Sequence, residues 1–246
     1  MSFNIEVEGG SSVRLPTAGK YCDRDIVITA TGGGGENKLM GVIDGTVTEL
    51  TAQDLTGITK FRNRAFRECT KLTRITIPNT VTSIGEEAFL ACRALIGVEI
   101  PNSVTYIADG AFYNCSKLPS INIPYGIKTI GYVMFYGCTN LASVTLPDTL
   151  TTIGRNAFEK CSSLVSIYIP FSVTTIDQTS FYNCSSLKRV DLSNHNKIPT
   201  LNRNVFGYTH ANLQIKVPAS LIDDWKAATN WSAYAEKIVT EFTNEV

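Results

Sequence analysis

Histidine is nearly missing from this 246-residue chain, which has only His195 and His210. That scarcity removes most acid–base and zinc chemistry, because zinc sites need close pairs of Cys and His ligands. Charge is scarce as well: 18% of residues are charged, and 22 Lys and Arg cancel 22 Asp and Glu. A balanced surface lacks the basic footprint of a nucleic-acid or anionic-membrane binder, so neither is expected as a partner. No apolar run approaches the ~18 residues of a membrane-spanning helix, so no membrane insertion is expected. The start, Met1-Ser-Phe-Asn-Ile-Glu-Val-Glu, has neither the basic nor the apolar region of a secretory signal peptide. The expectation is a leader already removed, or assembly by another route such as inside a phage particle.

Catalytic motifs are missing too. There is no Gly-x-Ser-x-Gly, His-Glu-x-x-His, calcium loop or Rossmann fingerprint. Four glycines, Gly32 to Gly35, are followed by Glu36 rather than by Gly-Lys-Ser/Thr; they read as a flexible linker and not a phosphate loop. Glu86 and Glu87 are adjacent in sequence and cannot face each other across a sugar as a glycosidase pair must. Nothing nominates a hydrogen-bonded partner for either His. No enzyme activity, cofactor or metal is expected.

What the chain has instead is a period. Phe66, Phe89, Phe112, Phe135, Phe158 and Phe181 are 23 residues apart. Cys69, Cys92, Cys115, Cys138, Cys161 and Cys184 follow each Phe by three, and Leu72, Leu95, Leu118, Leu141, Leu164 and Leu187 by six. After each Leu comes an apolar-x-apolar pair such as Ile75 and Ile77 or Ile167 and Ile169, the alternation of a short half-buried strand. Pro78, Pro101, Pro124, Pro147 and Pro170 end these strands, where a missing N–H stops ladder pairing. A second apolar pair follows, as in Val81 and Ile84. Gly85, Gly131 and Gly154 then mark a turn, and Glu86-Glu-Ala-Phe-Leu-Ala-Cys92 has the composition of a single short helical turn. One such unit cannot bury its apolar side alone, so neighbours stack around a shared core in which like residues form ladders. The Phe ladder should dominate it.

Leu-x-x-Ile-x-Ile-Pro-x-x-Val-Thr-x-Ile-Gly-x-x-Ala-Phe-x-x-Cys resembles the BspA-like class of bacterial leucine-rich repeats, over residues 58–192 and more loosely to Pro218. The resemblance implies a leucine-rich-repeat solenoid of short β-strands plus short helical turns. It also implies a non-enzymatic scaffold for adhesion or protein recognition, in a setting at a bacterial cell surface or in a phage-encoded protein.

Along the chain, residues 1–36 read as a small β module with the Gly linker. Phe3-Asn-Ile-Glu-Val, Val13-Arg-Leu and Asp25-Ile-Val-Ile-Thr-Ala are its strands. The module resembles short units of phage structural and bacterial surface proteins, and so small a unit should dock on the solenoid or on another chain. Residues 37–57 are the expected N-terminal cap, residues 58–218 the repeats with an irregular last one, and residues 219–246 a helical C-terminal cap. In that cap Ser220 is a candidate N-cap, and Trp225 and Trp231 either close the last coil or stack on a ligand. The six ladder thiols should be reduced and inert, behaving as small hydrophobes; Cys22, outside the ladder, should be the reachable one. Asn114 and Asn183 read as polar turn residues.

Core columns are held by stacking, so specialisation is confined to outward positions. In the strands these are Thr76, Glu99, Asn122, Thr145, Tyr168 and Asp191, and just after them Asn79, Asn102, Tyr125, Asp148 and Phe171. Tyr125, Tyr168 and Phe171 stand out, because exposed aromatics on a polar face are enriched at binding hot spots. They are the candidate partner-binding residues, for a protein or a glycan. Phe171 has a second reading, as a cover for Pro170. Tyr113, Tyr136 and Tyr182 form another set that covers the helical edge. The alternative to recognition is an architectural subunit in which residues 1–31 dock into a larger assembly and the repeats act as spacer.

Overall fold

In the computed structural model, residues 48–55 and 57–243 are described throughout; of those before residue 48, only the backbones of strands Ile5–Glu6, Ser12–Val13, Ile26–Ala30 and Leu39–Gly41 are. The linker glycines and Cys22 lie outside the described residues. The apolar-x-apolar pairs form a first row of parallel strands: Glu49–Leu50, Arg74–Thr76, Gly97–Glu99, Ser120–Asn122, Ser143–Thr145, Ser166–Tyr168, Arg189–Asp191, Gln214–Lys216 and Ile238–Val239. Register follows the repeat, Ile75 facing Val98 and Ile167 facing Val190, until the irregular coil, where Val190 faces Ile215. The ladder is interrupted between Gly97–Glu99 and Ser120–Asn122 and again between Ser143–Thr145 and Ser166–Tyr168. Pro119, at the first break, has no N–H to give to the preceding coil; Val165 stands at the equivalent place of the second.

Past the prolines runs a second parallel row, comprising Ile58–Phe61, Ser83–Ile84 and Tyr106–Ile107 and, after a break, Thr129–Ile130, Thr152–Ile153, Thr175–Ile176 and Thr200–Leu201. Ile26–Ala30 lies antiparallel on the Ile58–Phe61 end of this row, and Leu39–Gly41 antiparallel on Ile26–Ala30. At Gly154 the coils approach so closely that a Cβ would sit 2.7 Å from the Ile130 carbonyl oxygen. Glycine is there for lack of a side chain.

The third side of the coil corrects the expected helical turn. Two residues per coil adopt the left-handed conformation. Arg64, Glu87, Gly110, Val133, Asn156, Thr179 and Asn204 have φ of 46–64°, and Glu68, Ala91, Asn114, Gly137, Lys160, Asn183 and Tyr208 have φ of 55–71°. A left-handed residue ends an α-helix, so the segment is a run of tight turns. Its alternate N–H groups point along the solenoid instead: Phe66 donates to Ala88 O at 2.6 Å, Phe89 to Ala111 O at 2.7 Å, Phe135 to Ala157 O at 2.8 Å. Backbone groups that a helix would satisfy internally thus tie coil to coil. Asn114 and Asn183 occupy left-handed positions, which Asn tolerates better than most residues.

The Phe ladder is the spine of the core. Phe66, Phe89, Phe112, Phe135, Phe158, Phe181 and Phe206 are buried, with successive centroids 5.0–5.6 Å apart and planes within 3–11°. Phe61 closes the first end, edge-on to Phe66 at 5.0 Å. Beside the rings the thiols have a specific task. Cys92, Cys115, Cys138, Cys161 and Cys184 each donate S–H, at 2.9–3.2 Å, to the carbonyl of the Phe 26 residues earlier. That oxygen already accepts an N–H within its own turn, as Phe66 O does from Cys69, and the thiol fills its second lone pair. Burial pushes the thiols of Cys92, Cys138 and Cys184 up to about 12, and those of Cys115 and Cys161 well above their ordinary value. Cys69 begins the ladder, with no earlier Phe of the column behind it. It is disulfide-bonded, which corrects the expectation of six reduced rungs; the five others are free.

At the far end, Ala219–Leu221 is a 3₁₀ turn leading into a short α-helix, Ile222–Ala227, and Ser232–Lys237 is a second 3₁₀ segment. Ser220 does not cap; Leu221 occupies the N-cap without a side-chain bond. Trp225 and Trp231 are fully buried, 4.7 Å apart edge to face. Trp231 Nε1 donates to Pro199 O at 2.8 Å. Both indoles close the core.

Candidate partner-binding face

Alternation along a strand puts every second side chain on the same face, so the first row turns Thr76, Glu99, Asn122, Thr145, Tyr168 and Asp191 outward. The turn after each proline adds Asn79, Asn102, Tyr125, Asp148 and Phe171. Tyr125, Tyr168 and Phe171 are 67%, 40% and 56% exposed, whereas Pro170 is buried; Phe171 keeps most of its ring in solvent. Asp148 lies in the coil between Tyr125 and Phe171, which are two coils apart, about 10 Å at the usual strand spacing.

Their backbone is held firmly. Tyr125 N–H donates to Asn102 Oδ1 at 3.2 Å. Gly126, at φ 106°, makes the turn beyond it and donates to Thr149 Oγ1 at 3.0 Å. Tyr168 faces Asp191 across the ladder, and its hydroxyl accepts from Asn194 Nδ2 at 3.1 Å. Asp191 Oδ1 accepts from the backbone and hydroxyl of Ser193 at 2.9 and 2.7 Å, which fixes its carboxylate beside Tyr168.

Sequence reasoning missed a second feature of this face. A groove of about 430 Å³ opens over the earlier coils, walled by Ile77, Pro78, Val98 and Ile100, with Thr76, Glu99 and Asn122 at its polar side. It spans the interrupted ladder at Pro119. Its lining residues recur at the repeat spacing, Ile77 with Ile100 and Pro78 with Pro101, so nothing in the period marked it.

Other aromatics have their own neighbours. Tyr113 and Tyr136 stack at 4.8 Å, with Lys160 Nζ 4.8 Å above the Tyr136 ring. Tyr182 meets Tyr208 edge-on at 5.0 Å. These cover the turn side. His195 is buried against Trp225, with Nδ1 3.2 Å from Leu192 O; burial lowers its pKa below the ordinary imidazole value. Among the described residues, no three His, Cys, Asp or Glu side chains converge as metal ligands would. No helix among them is long and apolar enough to cross a membrane.

Six copies of the BspA type leucine rich repeat region match residues 46–141 and 110–225. Among solved structures, the T. pallidum leucine rich repeat protein is similar with a TM-score of 0.62 and 26% identity, over 80% of this chain and 87% of that one. A leucine-rich repeat protein from Bacteroides ovatus gives a TM-score of 0.46 and 27% identity, over 74% of this chain and 57% of that one. No curated protein matches.

Proposed function

Because the chain belongs to the BspA-type leucine-rich repeat family, whose repeats are non-catalytic scaffolds, we propose that it is a recognition module of adhesion type. It binds a protein or glycan through its strand face, at a cell surface or on a phage particle. The observation that carries this reading is the exposure of Tyr125, Tyr168 and Phe171 on a face otherwise built from small polar side chains. Large rings left in water gain nothing until a partner covers them. Parallel strands behind them supply the rigidity that lowers the entropic cost of binding. The disulfide at Cys69 suits an oxidising setting outside the cytoplasm.

The architectural alternative depends on residues 1–31 being free to dock elsewhere. Ile26–Ala30 is already paired with Ile58–Phe61 of its own chain, which favours recognition. The test is a paired screen of immobilised protein against a glycan array and a displayed-peptide library, using wild type and the triple variant Tyr125→Ser, Tyr168→Ser, Phe171→Ser. A ligand should be found whose affinity falls at least tenfold, or ~1.4 kcal/mol, in the triple variant with its melting curve unchanged. Full affinity in the folded variant would remove the site from this face.

A further inference from the structure

The strand face distributes its charge unevenly. Its basic residues lie toward its two ends and are engaged within the chain. Arg74 meets Glu49 at 3.7 Å and Lys216 meets Glu241 at 3.0 Å. Arg189 and Lys216 sit 5.6 and 5.8 Å from the Phe242 ring centroid. Between Arg74 and Arg189, the outward strand columns and the post-proline column contain no Lys or Arg. Glu99 and Asp148 in that stretch are exposed and have no basic partner among the described residues; the Glu99 carboxylate accepts the Thr76 hydroxyl at 3.3 Å. The chain's own tail already follows charge complementarity, its Glu241 and Phe242 covering the basic end.

Acid and aromatic alternate coil by coil. Glu99 is followed by Tyr125, then Asp148, then Tyr168 with Phe171, then Asp191. Acids therefore recur every second coil, roughly 10 Å apart along the solenoid axis, Glu99 and Asp191 in the strand column and Asp148 in the post-proline column beside it, while an extended chain advances ~3.3 Å per residue. Three residues of extended peptide match one acid-to-acid step along the axis, and the long stems of Lys and Arg reach the acid column to either side. Each aromatic falls between two acids, where it can take the stem or the cationic face of a Lys or Arg. The groove beside Glu99 gives a first such side chain an apolar wall of Ile77, Pro78, Val98 and Ile100.

We propose that the face from Glu99 to Asp191 binds an extended basic segment of a protein partner, running along the solenoid with Lys or Arg at every third residue. This rests on the recognition reading above and names the partner's chemistry.

The probe is a fluorescein-labelled 12-residue peptide with Arg at every third position and Gly or Ser between, titrated by anisotropy with the full chain. Two control peptides carry the same residues with the arginines consecutive, or Glu in place of Arg. The spaced peptide should bind at least tenfold more tightly than the acidic one and more tightly than the clustered one, and lose affinity as salt is raised. The double variant Glu99→Gln, Asp148→Asn, with its melting curve unchanged, should bind it at least tenfold more weakly. Equal binding of spaced and acidic peptides, or full affinity in the folded double variant, overturns the proposal; equal binding of spaced and clustered peptides overturns the three-residue match. A neutral glycan captured through Tyr125, Tyr168 and Phe171, with no peptide binding, would overturn this inference and leave the recognition reading standing. Failure of every peptide and glycan to bind the folded chain would sink both.

Discussion

Replacing Phe135 with Ala tests the inside of the solenoid at its most constrained point. The ring is fully buried between Phe112 at 5.6 Å and Phe158 at 5.3 Å, nearly parallel to both. Emptying a buried Phe site costs ~3–5 kcal/mol, and each of the two stacked contacts adds ~0.5–1.5 kcal/mol beyond area burial. The cavity has little room to collapse, because the coil is pinned at this residue. Phe135 N–H donates to Ala157 O at 2.8 Å, and its carbonyl accepts from Cys138 N at 3.1 Å and Cys161 Sγ at 3.2 Å. The cost should therefore lie in the upper half of the range, about 4–5 kcal/mol. Urea unfolding followed by circular dichroism and by tryptophan fluorescence gives two views, since both indoles are in the C-terminal cap. Coils contact only their neighbours, so a weakened central rung should also uncouple the two halves. The two midpoints should separate in the variant and coincide in the wild type. A loss below about 1 kcal/mol, the level of an ordinary surface change, with coincident midpoints would refute the stacked-core argument.

Gly154→Ala should cost ~1–3 kcal/mol by overpacking, since its Cβ would press on the Ile130 carbonyl and the Gly131 backbone; a shift of the urea midpoint reads this directly, and an unchanged midpoint would mean the coils can part there. The free ladder thiols should resist thiol reagent until the chain unfolds. Their pKa is raised in the fold, from 9.0 toward about 12 at Cys138, so their stabilising contribution is present below pH ~9 and lost as pH rises toward 12; the urea midpoint should fall from pH 8 to pH 10, and a flat profile would contradict it. His195 has the opposite sign. Burial lowers its pKa from 6.5, so its contribution is present above that value and lost as pH falls below it. Tryptophan fluorescence should report a looser cap at pH 5 than at pH 7, and His195→Phe should abolish that difference.

Much of this was legible because a stacked repeat prints its core on the sequence. A column buried in one coil is buried in all, so Phe, Cys, Leu and the paired β-branched residues recur at one period, and the inward faces of both strand rows follow from alternation. The outward positions of Tyr125, Tyr168 and Phe171 were legible for the same reason. Composition misled where it was asked for conformation. Glu86 to Cys92 has helix-forming residues, but left-handed φ at Glu87 and Ala91 is set by the neighbouring coil, whose carbonyls wait at a spacing that only a run of turns can match. The ladder cysteines were identified as buried hydrophobes, but their S–H bonds to Phe carbonyls one coil back required both coils in place. The disulfide at Cys69, the groove over the first ladder break, and the covering of Arg189 and Lys216 by Phe242 are features that the period does not print. Period and alternation determine which side chains go inside. Contacts between residues unequal in sequence, made only once the coils are stacked and capped, decide what is left for a partner to meet.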